Sequence, residues 1–186
     1  EDRLQEVAFT SGGRERRLPA DLLLLHQGVV PNVNLANAAG VAHSWNERQL
    51  CFVPVLDEAF GSSVPGIAVA GDGAGIAGGT AAAERGRIAA IAAVRALRPE
   101  ATVPDPQAIR QKLQREEMGR AFLDLLNRPA ESFRQPVGET LACRCEEVTA
   151  KQVRDMARIG CEGPNQMKAF LRCGMGPCQG RLCGLT

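Results

Sequence analysis

The side chains best suited to hold a metal are crowded toward one end of the chain. Cys143 and Cys145 form a C-R-C pair, and further on C-G-M-G-P-C-Q-G-R-L-C supplies Cys173, Cys178 and Cys183. With Cys161 between them, six of the seven cysteines of this 186-residue chain fall in this tail. Thiols at this density serve disulfides, zinc or an iron–sulfur cluster, and the three differ in spacing. A C-x-C pair is too close for an easy internal disulfide and unlike the C-x-x-C knuckle of structural zinc, but it can offer two thiolates to one iron. Gly174, Gly176, Pro177, Gly180 and Gly184 interleave the later cysteines, a backbone free to wrap closely around an inorganic core.

Two short helices must hold these loops. Thr149 followed by Gln152 is a capping-box signal, and the helix it starts is expected to stop at Gly160. A second helix opens at Pro164, favoured as a first helical residue, and carries Met167, Phe170 and Leu171.

The stretches C-R-C-E-E-V-T, G-P-N-Q-M-K-A-F and G-M-G-P-C-Q-G-R-L-C-G resemble the bacterioferritin-associated-ferredoxin-type 2Fe-2S domain at the C-terminus of certain flavoproteins. That group includes opine oxidase, hydrogen cyanide synthase and amino-acid dehydrogenase subunits. Spacing leaves the second pair of ligands open, since Cys173 with Cys178 and Cys178 with Cys183 are both C-x-x-x-x-C. The resemblance implies Cys143, Cys145, Cys178 and Cys183, with Cys173 a nearby spare and Cys161 a packing thiol. Pro177 as a first helical residue would add unpaired N–H groups that favour a thiolate at Cys178.

A second stretch with legible chemistry is V-P-G-I-A-V-A-G-D-G-A-G-I-A-G-G-T, followed by a long Ala-rich helix. A buried strand over residues 67–70 is predicted to run into Gly71, Asp72 and Gly73. The glycines would let the backbone approach a phosphate-bearing ligand, and the helix N-terminus would offer N–H groups to an anion. This stretch resembles the second FAD motif of glutathione-reductase-like flavoproteins. The resemblance implies that Asp72 binds the ribityl chain, that Gly71 and Gly73 flank it, and that Gly78, Gly79 and Thr80 lie near the flavin. Arg85, Arg87 and Arg95 read as a solvated helix face.

The remaining elements frame these two sites. The opening reads as two strands joined at Gly12 and Gly13. L-L-L-L-H-Q-G is expected as a strand buried on both faces of a parallel sheet, and V-V-P-N-V-N-L-A as a turn into a short helix. A-D-L-L-L-L-H-Q-G-V-V-P-N is similar to the segment that closes the NAD(P)-binding domain of two-dinucleotide flavoproteins; NAD(P) itself has no support here. His26 at the strand end and His43 in a polar loop read as structural, and Cys51 as an apolar thiol within a strand. Prolines mark residues 98–105 as a linker, and one packing helix is expected over residues 107–127.

The fold class expected is α/β: the C-terminal portion of a two-dinucleotide flavoprotein (residues 1–98), a helical connector (99–138) and a small helical iron–sulfur domain (139–186). Flavoproteins of this kind open on a strand and a G-x-G-x-x-G turn, which the start of this chain lacks, and the G-x-G-x-x-G spacing of Gly73 to Gly78 lies inside the second FAD motif, so the chain is expected to be part of a larger subunit.

Composition narrows the partners. A net charge of +1, from 22 Lys and Arg against 21 Asp and Glu, gives no electrostatic case for nucleic acid or an anionic membrane. No apolar run reaches membrane-spanning length, and clustered free thiols suit a reducing cytoplasm. The function expected is an FAD- and 2Fe-2S-dependent electron-transfer subunit for oxidation of an amino acid or opine C–N bond, alongside a second flavoprotein subunit. The alternative is an iron–sulfur donor or docking module without catalysis of its own.

Overall fold

Gly12 and Gly13 take φ of 59° and 74°, the left-handed pair that a two-residue turn demands. Strand β1 (Glu6–Ser11) therefore folds back on β2 (Arg14–Pro19), with Ser11 opposite Arg14. In the computed structural model, which describes residues 3–24 and 28–185, this hairpin is almost wholly exposed.

The apolar run after it is not a buried strand over its described part. Leu22 and Leu24 lie outside any strand and are 74% and 83% exposed. A strand buried on both faces needs paired neighbours and covering helices, and no described strand pairs with this stretch. Residues 25–27, and with them the structural role expected of His26, lie outside the described residues.

Helix α1 (Asn34–Ala38) follows the Pro turn as expected. Strand β3 (His43–Asn46) then pairs antiparallel with β4 (Cys51–Pro54). The turn between them is shaped by Asn46, whose side-chain oxygen accepts from the Arg48 and Gln49 amides at 3.0 Å each. His43 thus starts a strand rather than lying in a loop, with ring Nδ1 2.8 Å from the Val41 carbonyl oxygen. Cys51 is buried in β4, and burial pushes its thiol pKa up, with the nearby Asp124 charge adding to the effect.

Residues 67–70 form no continuous strand. A turn over residues 64–67, with Gly66 at φ 80°, folds them back on 60–62, where only single bridges form, Gly61 with Ala68 and Leu56 with Ser62. The three described sheets each hold two antiparallel strands, so the chain is mixed α/β with short sheets and shows no parallel sheet among the described residues.

The core lies between α2 (Gly79–Leu97) and α3 (Gln107–Glu116): Ala81, Ile88 and Leu113 are buried together, with Phe60, Ala77 and Ile109 packed on them. Beside it Glu84, its side chain 2% exposed, bonds Lys112 Nζ at 2.6 Å and Arg87 at 2.9 Å. The expected helix over 107–127 is broken into α3 and α4 (Arg120–Leu126) at Gly119, whose φ of 81° is left-handed and cannot continue a helix. Short α5 (Glu131–Arg134) leads to the tail.

Candidate functional site

Cys143 closes strand β5 (Leu141–Cys143), which pairs with β6 (Val148–Thr149) across a tight turn holding Cys145. Thr149 and Gln152 make the reciprocal capping box that starts α6 (Ala150–Arg158), with Oγ1 accepting from the Gln152 amide at 3.2 Å and Oε1 accepting from the Thr149 amide at 2.8 Å. Gly160, at φ 102°, ends the turn after that helix, and α7 (Pro164–Leu171) returns the chain. Arg172, left-handed at φ 57°, turns it into the second cysteine loop. Its Nε donates to Glu146 Oε2 at 2.9 Å, tying the residue before Cys173 to the residue after Cys145.

The two loops bring five thiols together. The sulfurs of Cys143, Cys173 and Cys183 lie within 4.8 Å of one another, Cys143 buried and the other two half-buried. Cys145 and Cys178 pair through a side-chain hydrogen bond and feel one another's charge; Cys145 also feels the charge of Cys143. The four expected ligands therefore fall in two adjoining groups, and Cys173 shares the first of them. Cys161 stands apart, with Sγ 3.6 Å from the Gly163 carbonyl. Residues 177–185 form successive turns rather than the helix expected to start at Pro177.

Electrostatics divides these thiols. Burial pushes Cys143 up, but backbone N–H groups of Gly174, Glu146 and Cys145 and a hydrogen bond from Cys183 outweigh it, leaving Cys143 below the usual thiol value. Cys178 is likewise held low, chiefly by the Leu182 amide and the Cys145 thiol, with the Gly180 and Arg181 amides. Those amides supply the N–H groups that a helix was expected to provide. Cys183 is pushed up to about 12 by burial and by the charges of Cys173 and Cys143. Two sulfurs are thus favoured as thiolates, each beside a thiol that donates to it. An all-sulfur donor set with amides aimed at the sulfurs fits an iron–sulfur cluster better than a hard-cation site.

The second candidate segment lies at the start of α2. Gly71, Asp72 and Gly73 form a 3-10 turn over Gly71–Ala74, and Gly78, Gly79 and Thr80 form the exposed first turn of the helix, where no side chain caps the N-terminus. Asp72 is exposed. Sequence reasoning missed Arg85, which is no solvated residue: its guanidinium donates to the Gly75 carbonyl at 2.5 Å and pairs with Glu117 at 2.6 Å, pinning the glycine turn to the end of α3. No local signal could reveal it, because Glu117 is distant in sequence.

No family model matches the chain, and no solved structure matches it. It is 49% identical over its full length to the A-subunit of opine oxidase from Rhizobium meliloti, of which it covers 36%. It is 47% identical over 98% of its length to the A-subunit of opine oxidase from Agrobacterium tumefaciens, covering 37% of that protein. It is 31% identical over 91% of its length to hydrogen cyanide synthase subunit HcnB of Pseudomonas protegens, again covering 37%. The chain is thus similar along nearly all of its length to the opine oxidase A-subunits and to hydrogen cyanide synthase subunit HcnB, and it spans little more than a third of the length of each.

Proposed function

We propose that this chain is the C-terminal part of an electron-transferring oxidoreductase subunit, with FAD against residues 71–80 and a 2Fe-2S cluster on Cys143, Cys145, Cys178 and Cys183. The observation that carries the reading is the convergence of thiols from two loops, three of them within 4.8 Å, beside amides that favour thiolate. Units over residues 1–98, 99–138 and 139–186 would hold the flavin segment, the connector and the cluster.

A 2Fe-2S cluster passes electrons singly and FAD takes them in pairs, so the two together suit relay from a two-electron oxidation to an acceptor. On this side of the relay the chain's own work is to hold and tune. Amides of Gly174, Gly180 and Leu182 would stabilise ligand sulfurs, and the Arg172–Glu146 pair would keep the two loops in register. At the flavin segment, Asp72 would accept a ligand hydroxyl while Arg85 fixes the turn. The relatives' names are those of subunits, which supports a partner; we assign to a second flavoprotein subunit the removal of hydride from an amino acid or opine C–N bond. Among the described residues no helix is long and apolar enough to cross a membrane, and we place the assembly in the reducing cytoplasm.

The test is the optical and EPR spectrum of the full-length protein, purified without oxygen, with iron and sulfide analysis. Equal iron and sulfide with a signal on reduction is expected. Zinc without sulfide would overturn the cluster, and a colourless apoprotein after reconstitution with iron and sulfide would do the same.

A further inference from the structure

A cavity of about 380 Å³ lies where the connector meets the second cysteine loop, and five arginines line it. Arg48 comes from the β3–β4 turn, Arg120 and Arg128 flank α4, Arg134 ends α5, and Arg181 sits between Cys178 and Cys183. The acid in this lining is Asp124, 9% exposed and already engaged by Arg120 at 2.7 Å and by Gln49 Nε2 at 3.1 Å. Among the described residues Arg48, Arg128 and Arg181 make no ion pair, and the Arg134 guanidinium has the Trp45 ring at 5.9 Å while its Nε is buried without a hydrogen-bond partner. Such an excess of positive charge is out of proportion to a chain whose net charge is +1.

Like charges gathered round a partly enclosed space repel, and an anion relieves that repulsion. Guanidinium forks match phosphate oxygens in pairs, which a wall whose one carboxylate is already engaged leaves available. Leu50, Ile76 and Phe133 make the rest of the wall apolar, and the volume is that of a small-ligand site. Arg48, Arg120 and Arg128 also border a more open cavity of about 920 Å³ that reaches Gly75, so the site sits between the glycine turn and the cysteine loop.

We propose that this cavity binds an organic phosphate, its phosphate group held by Arg128, Arg134 and Arg181 and its apolar body resting on Ile76 and Phe133. The site adjoins the flavin segment at Ile76 without using Gly71, Asp72 or Thr80, and its ligand clamps the Arg181 loop to the connector. Calorimetry on the full-length protein with phenyl phosphate, inorganic phosphate and phenol tests this. Saturable binding of phenyl phosphate is expected, about tenfold tighter than inorganic phosphate, weakened by salt and absent for phenol. Arg128→Gln with Arg134→Gln should weaken it about tenfold or more, while iron and sulfide content stays as in the parent, so failure here leaves the cluster reading intact. Arg181→Gln, in a surface loop, repeats the test should the double variant fold poorly. No saturable binding, equal binding by the variants, or equal affinity for both phosphates overturns the proposal; protection of these arginines only by an acidic partner segment overturns it in that partner's favour.

Discussion

Gly176 lies so close to Cys145 that a β-carbon at position 176 would overlap the Cys145 Cβ and come within 3.2 Å of Glu146 Oε1. Its φ is not left-handed, so the glycine is there for space rather than for turn geometry. Gly176→Ala should therefore push the two cysteine loops apart and abolish cluster assembly, read as loss of visible absorbance and iron. Gly163→Ala, where an added β-carbon meets nothing within 4 Å, should keep the cluster. Equal iron in both variants would refute this role for Gly176.

The ligand set is separable by single Cys→Ser changes. Loss of 2Fe-2S absorbance and EPR signal is expected at Cys143, Cys145, Cys178 and Cys183, with retention at Cys161 and Cys173. Cys173 is the sharpest case, since its sulfur is within 4.8 Å of both Cys143 and Cys183. A colourless Cys173→Ser beside a normal Cys183→Ser would reverse the assignment.

Features written in adjacent residues were legible in the sequence: the Gly12–Gly13 turn, the Thr149–Gln152 box, the stop at Gly160 and the start at Pro164. The break at Gly119 was not read, because the apolar stripe on either side of it suggested one continuous helix. Leu22 to Leu24 show the opposite limit, because an apolar run becomes a strand only through partners that local sequence does not name. The same holds for Arg85 with Glu117, Glu84 with Lys112, and the placing of Cys173 beside Cys143: each is a contact made by the fold.

The capping box sets the loop that carries Cys145. Thr149→Ala removes a side-chain acceptor for the Gln152 amide and should cost about 1 kcal/mol of stability, while Thr149→Ser should cost little. Denaturant unfolding of the full-length protein checks it, and an unchanged midpoint for the alanine variant would contradict it.

Glu84 makes the α2–α3 contact sensitive to acid. The Lys112 hydrogen bond, opposed by burial and aided by Arg87, holds its carboxyl below the usual range. Its folded pKa is thus lower than the unfolded value of about 4.3, so its contribution is fully present above that value and lost as pH falls through the folded pKa. Thermal unfolding should show Glu84→Gln less stable than the parent at neutral pH, with the gap closing as pH falls below the usual carboxyl range. A gap that is constant with pH would show that the loss is one of packing rather than charge.

Asp72 is the test of the flavin segment. It is exposed at a glycine turn that Arg85 holds from behind, so replacing it leaves the turn's own support in place. In the full-length protein Asp72→Ala should weaken FAD binding by about 1.5 to 3 kcal/mol, the worth of a hydrogen bond to a charged group. Asp72→Asn, which keeps an acceptor without the charge, should lose less. Arg85→Gln should weaken FAD by a different route, loosening the turn, so its loss should be accompanied by a lower unfolding midpoint that Asp72→Ala lacks. Flavin titration by fluorescence quenching reads all three variants, and unchanged affinity in Asp72→Ala would remove Asp72 from the site.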